Sequence, residues 1–158
     1  MTDKLLTFEG QVIKDWIDYN GHMNDACYVM VFSKAIDRMM DIVGIDAESR
    51  EKHQISIYTL QSMIHYLQEV GLGEPLRVEA QILDSDNKKL RVFFTMLHGD
   101  SGEEVAAMET LLLHIDMSQH RAAPFLPQNQ AIVDEIRRSH SKLPIPKLAG
   151  RSIEIRRK

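Results

Sequence analysis

The run Asp18-Tyr19-Asn20-Gly21-His22-Met23-Asn24-Asp25 places an acid, an amide and an imidazole at alternate positions, turns on a glycine and leads into a long amphipathic stretch. Asn24 has the chemistry of a helix N-cap, because its side-chain oxygen can accept an orphan N–H of the first turn. A helix start also carries partial positive charge and unpaired donors. One short segment therefore brings together a carboxylate and donors that could hold a developing oxyanion, a combination suited to attack on a polarised carbonyl. Asp, Asn and Gly are equally the ordinary furniture of a loop before a helix.

The elements that must position this loop are legible from periodicity. A first strand is expected over residues 5–13. A helix follows over 25–43, with Val29, Ser33, Ile36, Met40 and Val43 at helical spacing, Met39 and Ile42 widening the stripe, and Gly44 as its stop. A long strand is expected over 56–70. Leu76, Val78, Ala80 and Ile82 then alternate with Arg77, Glu79 and Gln81, a half-buried strand. Residues 84–87 form a turn; Leu90, Val92, Phe94 and Met96 make the next strand; 99–102 turn again; and 105–115 close the sheet. The order predicts an α+β fold, with one long helix against an antiparallel meander. Past Asp116, prolines 124 and 127 break the chain, a short helix is expected over 128–140, Leu143-Pro144-Ile145-Pro146 is extended, and 151–158 form a basic tail. The division expected is a main domain over 1–120, with the helix and tail of 121–158 packed on it or extending from it.

Composition narrows the function. A chain of 158 residues is one domain's worth and can bury a sizeable core. A formal net charge of −4 argues against nucleic acid or an anionic membrane as the main partner. The single cysteine, Cys27, excludes an intramolecular disulfide and reads as a small packing residue. With no charged-then-apolar leader and no long apolar run, a cytoplasmic protein is expected. The nine methionines read as core filler. His53, His65, His98, His114, His120 and His140 form no close ligand set with Cys or acids, so no metal is expected.

The pattern Asp-x-Asn-Gly-His-Met-Asn-x-x-x-Tyr, from Asp18 to Tyr28, resembles the first motif of the hotdog-fold acyl-CoA thioesterases, with Met23 in place of the usual valine and Asp25 in place of a second asparagine. The resemblance implies an antiparallel sheet wrapped around a central helix, hydrolysis of an acyl-CoA, no cofactor, and a homodimer or dimer of dimers with the site between subunits. It implies that Asp18 either attacks the thioester carbonyl or activates the water that does. Asn20 would hold that water or the acid, and His22 would donate to the carbonyl or lock the loop. An acid is expected near Thr59-Leu60-Gln61 in such proteins; this chain has Gln61, which could position water, with Thr59 and Glu69 as weaker alternatives.

The segment from Asp15 to Asn24, with Tyr58-Thr59, the run Tyr66 to Val70, and Leu112-Leu113-His114-Ile115-Asp116, is similar to betainyl-CoA thioesterases and to the thioesterase domains fused to some carnitine dehydrogenases. The similarity implies a cationic acyl group. Trp16, Tyr19, Tyr28, Tyr58 and Tyr66 would then bind substrate as an aromatic cage, with Met23 and Asn24 beside it. Lys88, Lys89, Arg91, Arg121 and Arg151 are candidates for the CoA phosphates. Two rival readings are a hotdog hydratase, whose Asp-x-Asn-Pro-x-His motif differs from Gly21 and its shorter spacing, and a non-catalytic acyl-CoA-binding protein.

Overall fold

In the computed structural model, which describes residues 3–157, a 3-10 turn and three α-helices accompany a six-stranded sheet. β1 is Leu5–Gln11, α1 is Asp25–Ile42, α2 is Ala47–His53, β2 is Ile55–Tyr66 and β3 is Pro75–Ser85. They are followed by β4 (Lys89–His98), β5 (Glu104–Asp116), β6 (Arg121–Ala122) and α3 (Pro127–His140). The fold is the expected α+β hotdog arrangement, an antiparallel sheet curled on α1.

α1 begins as its sequence requires. Asn24 is the N-cap, its side chain accepting the Ala26 N–H at 2.9 Å. The expected stripe holds at its C-terminal end, where Met39, Met40 and Val43 are buried, and misses at its start. Tyr28, Val31, Phe32, Ala35, Met39 and Met40 face the sheet, while Val29 and Ser33 are exposed. The close approach to the sheet decides this: small Ala35 is fully buried, and Phe32 meets Phe94 of β4 with ring centroids 6.4 Å apart. The helix stops at Val43 and Gly44. Gly44 has φ +86°, and a Cβ there would lie 2.8 Å from Asn129 Nδ2, which donates to the Val43 carbonyl at 2.9 Å. A residue of α3 thus caps α1, and only glycine leaves room for it.

The sheet order is β1-β3-β4-β5-β2, with β6 paired to the end of β5. The meander expectation holds for β3, β4 and β5. It fails for β2, which lies at the far edge, so residues 67–74 carry the chain back across the sheet to β3. This crossing also ends β2 at Tyr66 rather than Val70: the N–H groups of Leu67 and Gln68 both turn to the Val105 carbonyl. α2 was not anticipated because none of its residues is buried, so it leaves no apolar stripe to read.

The inner sheet face follows the alternation in the sequence. Leu76, Val78, Ala80 and Ile82, and likewise Leu90, Val92, Phe94 and Met96, are buried at 2% exposure or less. The outer face is covered too. Phe93, Thr95 and Ala107 are buried although they point away from α1, because the chain after α3 crosses that face. His140 fixes the start of the crossing. Its Nδ1 accepts the Ile82 N–H at 2.9 Å, where the β3–β4 register shifts, and its Nε2 lies 3.2 Å from the Asp3 carbonyl.

Candidate active site

The loop before α1 is built by its own hydrogen bonds. The Asp18 N–H donates to the His22 carbonyl and the Gly21 N–H to the Asp18 carbonyl, closing a tight turn with Gly21 at φ +81°. The Asp18 carboxylate accepts the Asn20 N–H at 2.8 Å on one oxygen and Asn24 Nδ2 at 3.3 Å on the other. Asn24 therefore works twice, capping the helix with its oxygen and holding the acid with its nitrogen. The partly exposed carboxylate is fixed in direction and open to a ligand.

The helix-start donors are mostly occupied. Met23 N–H goes to the Val70 carbonyl, Asn24 N–H to the Trp16 carbonyl, and Ala26 N–H to the Asn24 side chain. Among the described residues from Met23 to Ala26, Asp25 alone has an N–H with no acceptor in the protein. It is the first residue of α1, where a peptide donor is orphaned by geometry.

Residues 66–70 form the wall beside this loop. Tyr28 is buried; its hydroxyl donates to the Gln68 carbonyl, and its ring meets Tyr66 edge-on with centroids 5.3 Å apart. Tyr66 is half-exposed and its hydroxyl donates to the Asp25 carbonyl at 3.3 Å. His22 Nε2 stands 3.4 Å from Glu69 Oε2, an exposed pair of small energetic consequence. The Cys27 thiol is pushed up by burial, with the Asp18 and Asp25 carboxylates adding to the effect, so it stays protonated despite its place in the first turn.

Trp16 and Tyr19 adjoin Asp18 in sequence, whereas Tyr58 and Gln61 lie farther along β2. Trp16 is buried, and its ring carries the Lys34 ammonium 5.8 Å from its centroid. Tyr19 is 95% exposed beside the loop. Tyr58 is eight positions from Tyr66 along β2 and donates to Met117 Sδ. Gln61, five positions from Tyr66, is about 16 Å away along the strand. It is exposed at the β2 edge, where it lines a depression of about 310 Å³ with Met63, Arg91, Leu111 and Arg151. Of the basic candidates, Arg91 and Arg151 share that depression, but the Arg91 guanidinium is paired to Glu109. His114 packs on Phe125 and bonds the Ala123 carbonyl through Nδ1, a packing role. The run Tyr66 to Val70 is singled out in the sequence by its resemblance, with Glu69 as a candidate; its placement beside the loop rests on its hydrogen bonds to Tyr28 and Met23.

A hotdog sheet with an anchored carboxylate at the helix start defines an acyl-thioester hydrolase. The chain belongs to the Thioesterase-like superfamily, whose family model matches residues 12–133. It is 37% identical over 153 residues to the betainyl-CoA thioesterase of Pseudomonas aeruginosa, covering 97% of this chain and 96% of that one. It is 34% identical to the L-carnitine dehydrogenase/betainyl-CoA thioesterase of Ruegeria pomeroyi, covering 97% of this chain and 31% of that longer protein. Among solved structures, a hypothetical protein from Staphylococcus aureus in complex with CoA superposes with TM-score 0.90 at 27% identity, over 98% of each chain. A putative thioesterase from Pseudomonas putida KT2440 superposes with TM-score 0.85 at 37% identity, also over 98% of each.

Proposed function

We propose that this enzyme hydrolyses betainyl-CoA to glycine betaine and CoA, and that it does so as a homodimer joined along β2. The observation that carries the chemistry is the Asp18 carboxylate, held by Asn20 and Asn24 beside the unoccupied Asp25 N–H at the positive end of α1. The thioester carbonyl oxygen would sit on the Asp25 N–H. A water on the Asp18 carboxylate would attack the carbonyl carbon, the proton passing to Asp18 and then to the departing thiolate of CoA. In this scheme Asp18 acts as base; as a nucleophile it would instead form a mixed anhydride with the acyl group. A single turnover in ¹⁸O-water should put the label in the released acid; label in Asp18 itself would make the carboxylate the nucleophile.

The acyl assignment rests on the similarity to betainyl-CoA thioesterases over nearly the whole of both chains. Tyr66, half-exposed and propped edge-on by Tyr28 beside this loop, supports a contact with a quaternary ammonium in this reading. A desolvated cation over such a ring is worth about 2 kcal/mol, roughly thirtyfold. Thiol release should therefore favour betainyl-CoA over its neutral tert-butylacetyl isostere by about that factor, and Tyr66→Leu should remove the preference. Equal rates on the two for the unmodified enzyme would reject the cationic substrate.

The dimer reading rests on the β2 edge. The strand has 12 residues, is unpaired on one side among the described residues, and exposes Tyr58, Leu60 and Gln61. Such an edge is a template for pairing. Two copies joined there would close the edge that a single chain leaves open.

A further inference from the structure

The proposed hydrolysis builds negative charge beside negative charge. Asp25 carries the open N–H that would hold the thioester oxyanion, and it also carries a carboxylate. That carboxylate is folded onto the helix end, its Oδ1 accepting the Ala26 N–H at 2.9 Å. Two neighbours are raised first by burial and then by carboxylate charge: Asp18 and Asp25 act on the Cys27 thiol, and Asp25 acts on the Tyr66 hydroxyl. No ion pair among the described residues involves Asp18 or Asp25, and the loop's own His22 is turned to Glu69. The helix end offers only about half a positive charge, which a single carboxylate outweighs. An oxyanion on the Asp25 N–H is therefore poorly compensated by the chain itself when the acyl group is neutral.

A cationic acyl group removes the conflict. In a betainyl group the quaternary nitrogen is two bonds from the carbonyl carbon, about 2.5 Å away, the same span as from N to C across a Cα. A carbonyl oxygen held about 2.9 Å from the Asp25 nitrogen then puts the ammonium within about 7 Å of it. The Asp25 carboxylate belongs to the same residue. Tyr66 stands at the same place, its hydroxyl donating to the Asp25 carbonyl at 3.3 Å.

We infer that Asp25 is a specificity-determining residue: its carboxylate opposes the oxyanion of an uncharged acyl thioester and is neutralised by the quaternary ammonium of a betainyl group. The inference rests on the hydrolysis of a cationic acyl-CoA proposed above and assigns part of its selectivity to a charge. Tyr66 and Asp25 act on one group and are not additive, since the ring seats the ammonium and the carboxylate gains from it only where it is seated. They differ in sign on a neutral substrate. The ring attracts a cation, whereas the carboxylate also slows the substrate that lacks one. Asp25 is exposed, so solvent screens it and its share of the preference is about fivefold.

The test measures kcat/KM of the full chain on betainyl-CoA and on tert-butylacetyl-CoA. The CoA moiety is common to both, so their ratio isolates the acyl group. Asp25→Asn keeps the size of the side chain and an oxygen that can accept the Ala26 N–H. It should raise the rate on the neutral substrate without raising that on betainyl-CoA, so that a preference of about thirtyfold shrinks to about sixfold. Asp25→Glu, which keeps the charge, should hold the preference near that of the unmodified enzyme. If Asp25→Asn fails to fold by circular dichroism, salt decides. Raising ionic strength from about 0.01 M to about 1 M shortens the screening length from about 30 Å to about 3 Å and should shrink the preference of the unmodified enzyme severalfold. A preference unchanged by Asp25→Asn, or by salt where that variant does not fold, overturns the role of Asp25 and leaves the betainyl substrate standing. Equal rates on the two substrates for the unmodified enzyme overturn the substrate and the role together.

Discussion

The loop at residues 18–24 and the edge of β2 are finished to different degrees. In the loop nearly every polar group has a partner within the chain: Asp18 is held by Asn20 and Asn24, Asn24 also caps α1, and Met23 is tied to Val70. Along β2, a row of backbone groups faces outward with no strand beside it, and Tyr58, Leu60, Gln61 and Tyr66 are exposed. A single chain can preorganise an acid, because turns and caps are local. It cannot close a sheet edge by itself without another strand. The acid is thus held in place by its own chain, whereas the β2 edge is open among the described residues.

Four changes would break or sharpen that contrast. Asp18→Asn should have the largest effect. It keeps the size of the side chain and removes the charge, so thiol release should fall by about a thousandfold while circular dichroism is unchanged. Near wild-type turnover would take Asp18 out of the mechanism. Leu60→Lys should come second. A lysine on an edge strand opposes pairing, so the dimer dissociation constant should rise by about thirtyfold or more in sedimentation, with monomer melting unaltered. An unchanged association constant would place the interface elsewhere.

Asn24→Ala should be smaller and two-sided. Losing the cap costs about 1 kcal/mol of stability. Losing the hold on Asp18 Oδ2 should lower turnover by about tenfold, so the variant should lose activity even where it is fully folded. A loss of stability without a loss of turnover would leave Asn24 as a cap only.

The smallest effect is one of acidity, and it should fall on the interior rather than the edge. Burial pushes the pKa values of both His114 and His140 below the ordinary histidine value. Their folded forms therefore bind fewer protons than the unfolded chain. Stability should be full above about pH 6.5 and decline as pH drops below it toward the depressed folded values. His140→Gln should flatten part of that slope in melting curves, because the Ile82 N–H would keep an acceptor that does not titrate. An unaltered slope would remove His140 from the account.

Some of this was legible from local pattern. The Asn24 cap, the Gly44 stop and the alternation of β3 and β4 depend on residues within a few positions of each other. α2 was not legible, because a helix that buries nothing writes no periodicity. The stripe of α1 was read correctly at Met39, Met40 and Val43 and misread in its first turns, since Val29 and Ser33 fit a helical stripe as well as Phe32 and Ala35 do. Contact with Phe94 selects between the two. In the site, Asp18, Asn20 and Asn24 were candidates by type and spacing; that the acid is held by the Asn20 backbone N–H and by Asn24 Nδ2 is seen only in the structure. Tyr66 and Glu69 of the wall were candidates as well, but the packing of Tyr28 on it, across 40 positions of sequence, is a tertiary contact.

The sequence by itself determined the motif loop, the long capped helix and the strands that alternate, because each follows from short-range sterics, capping and the period of apolar residues. Tertiary structure alone decided that β2 lies at the far edge from β3, that the chain after α3 seals the outer sheet face, and that Gln61 stands away from Asp18. Those outcomes depend on which strands pair across long loops, a choice among distant partners that no local pattern encodes.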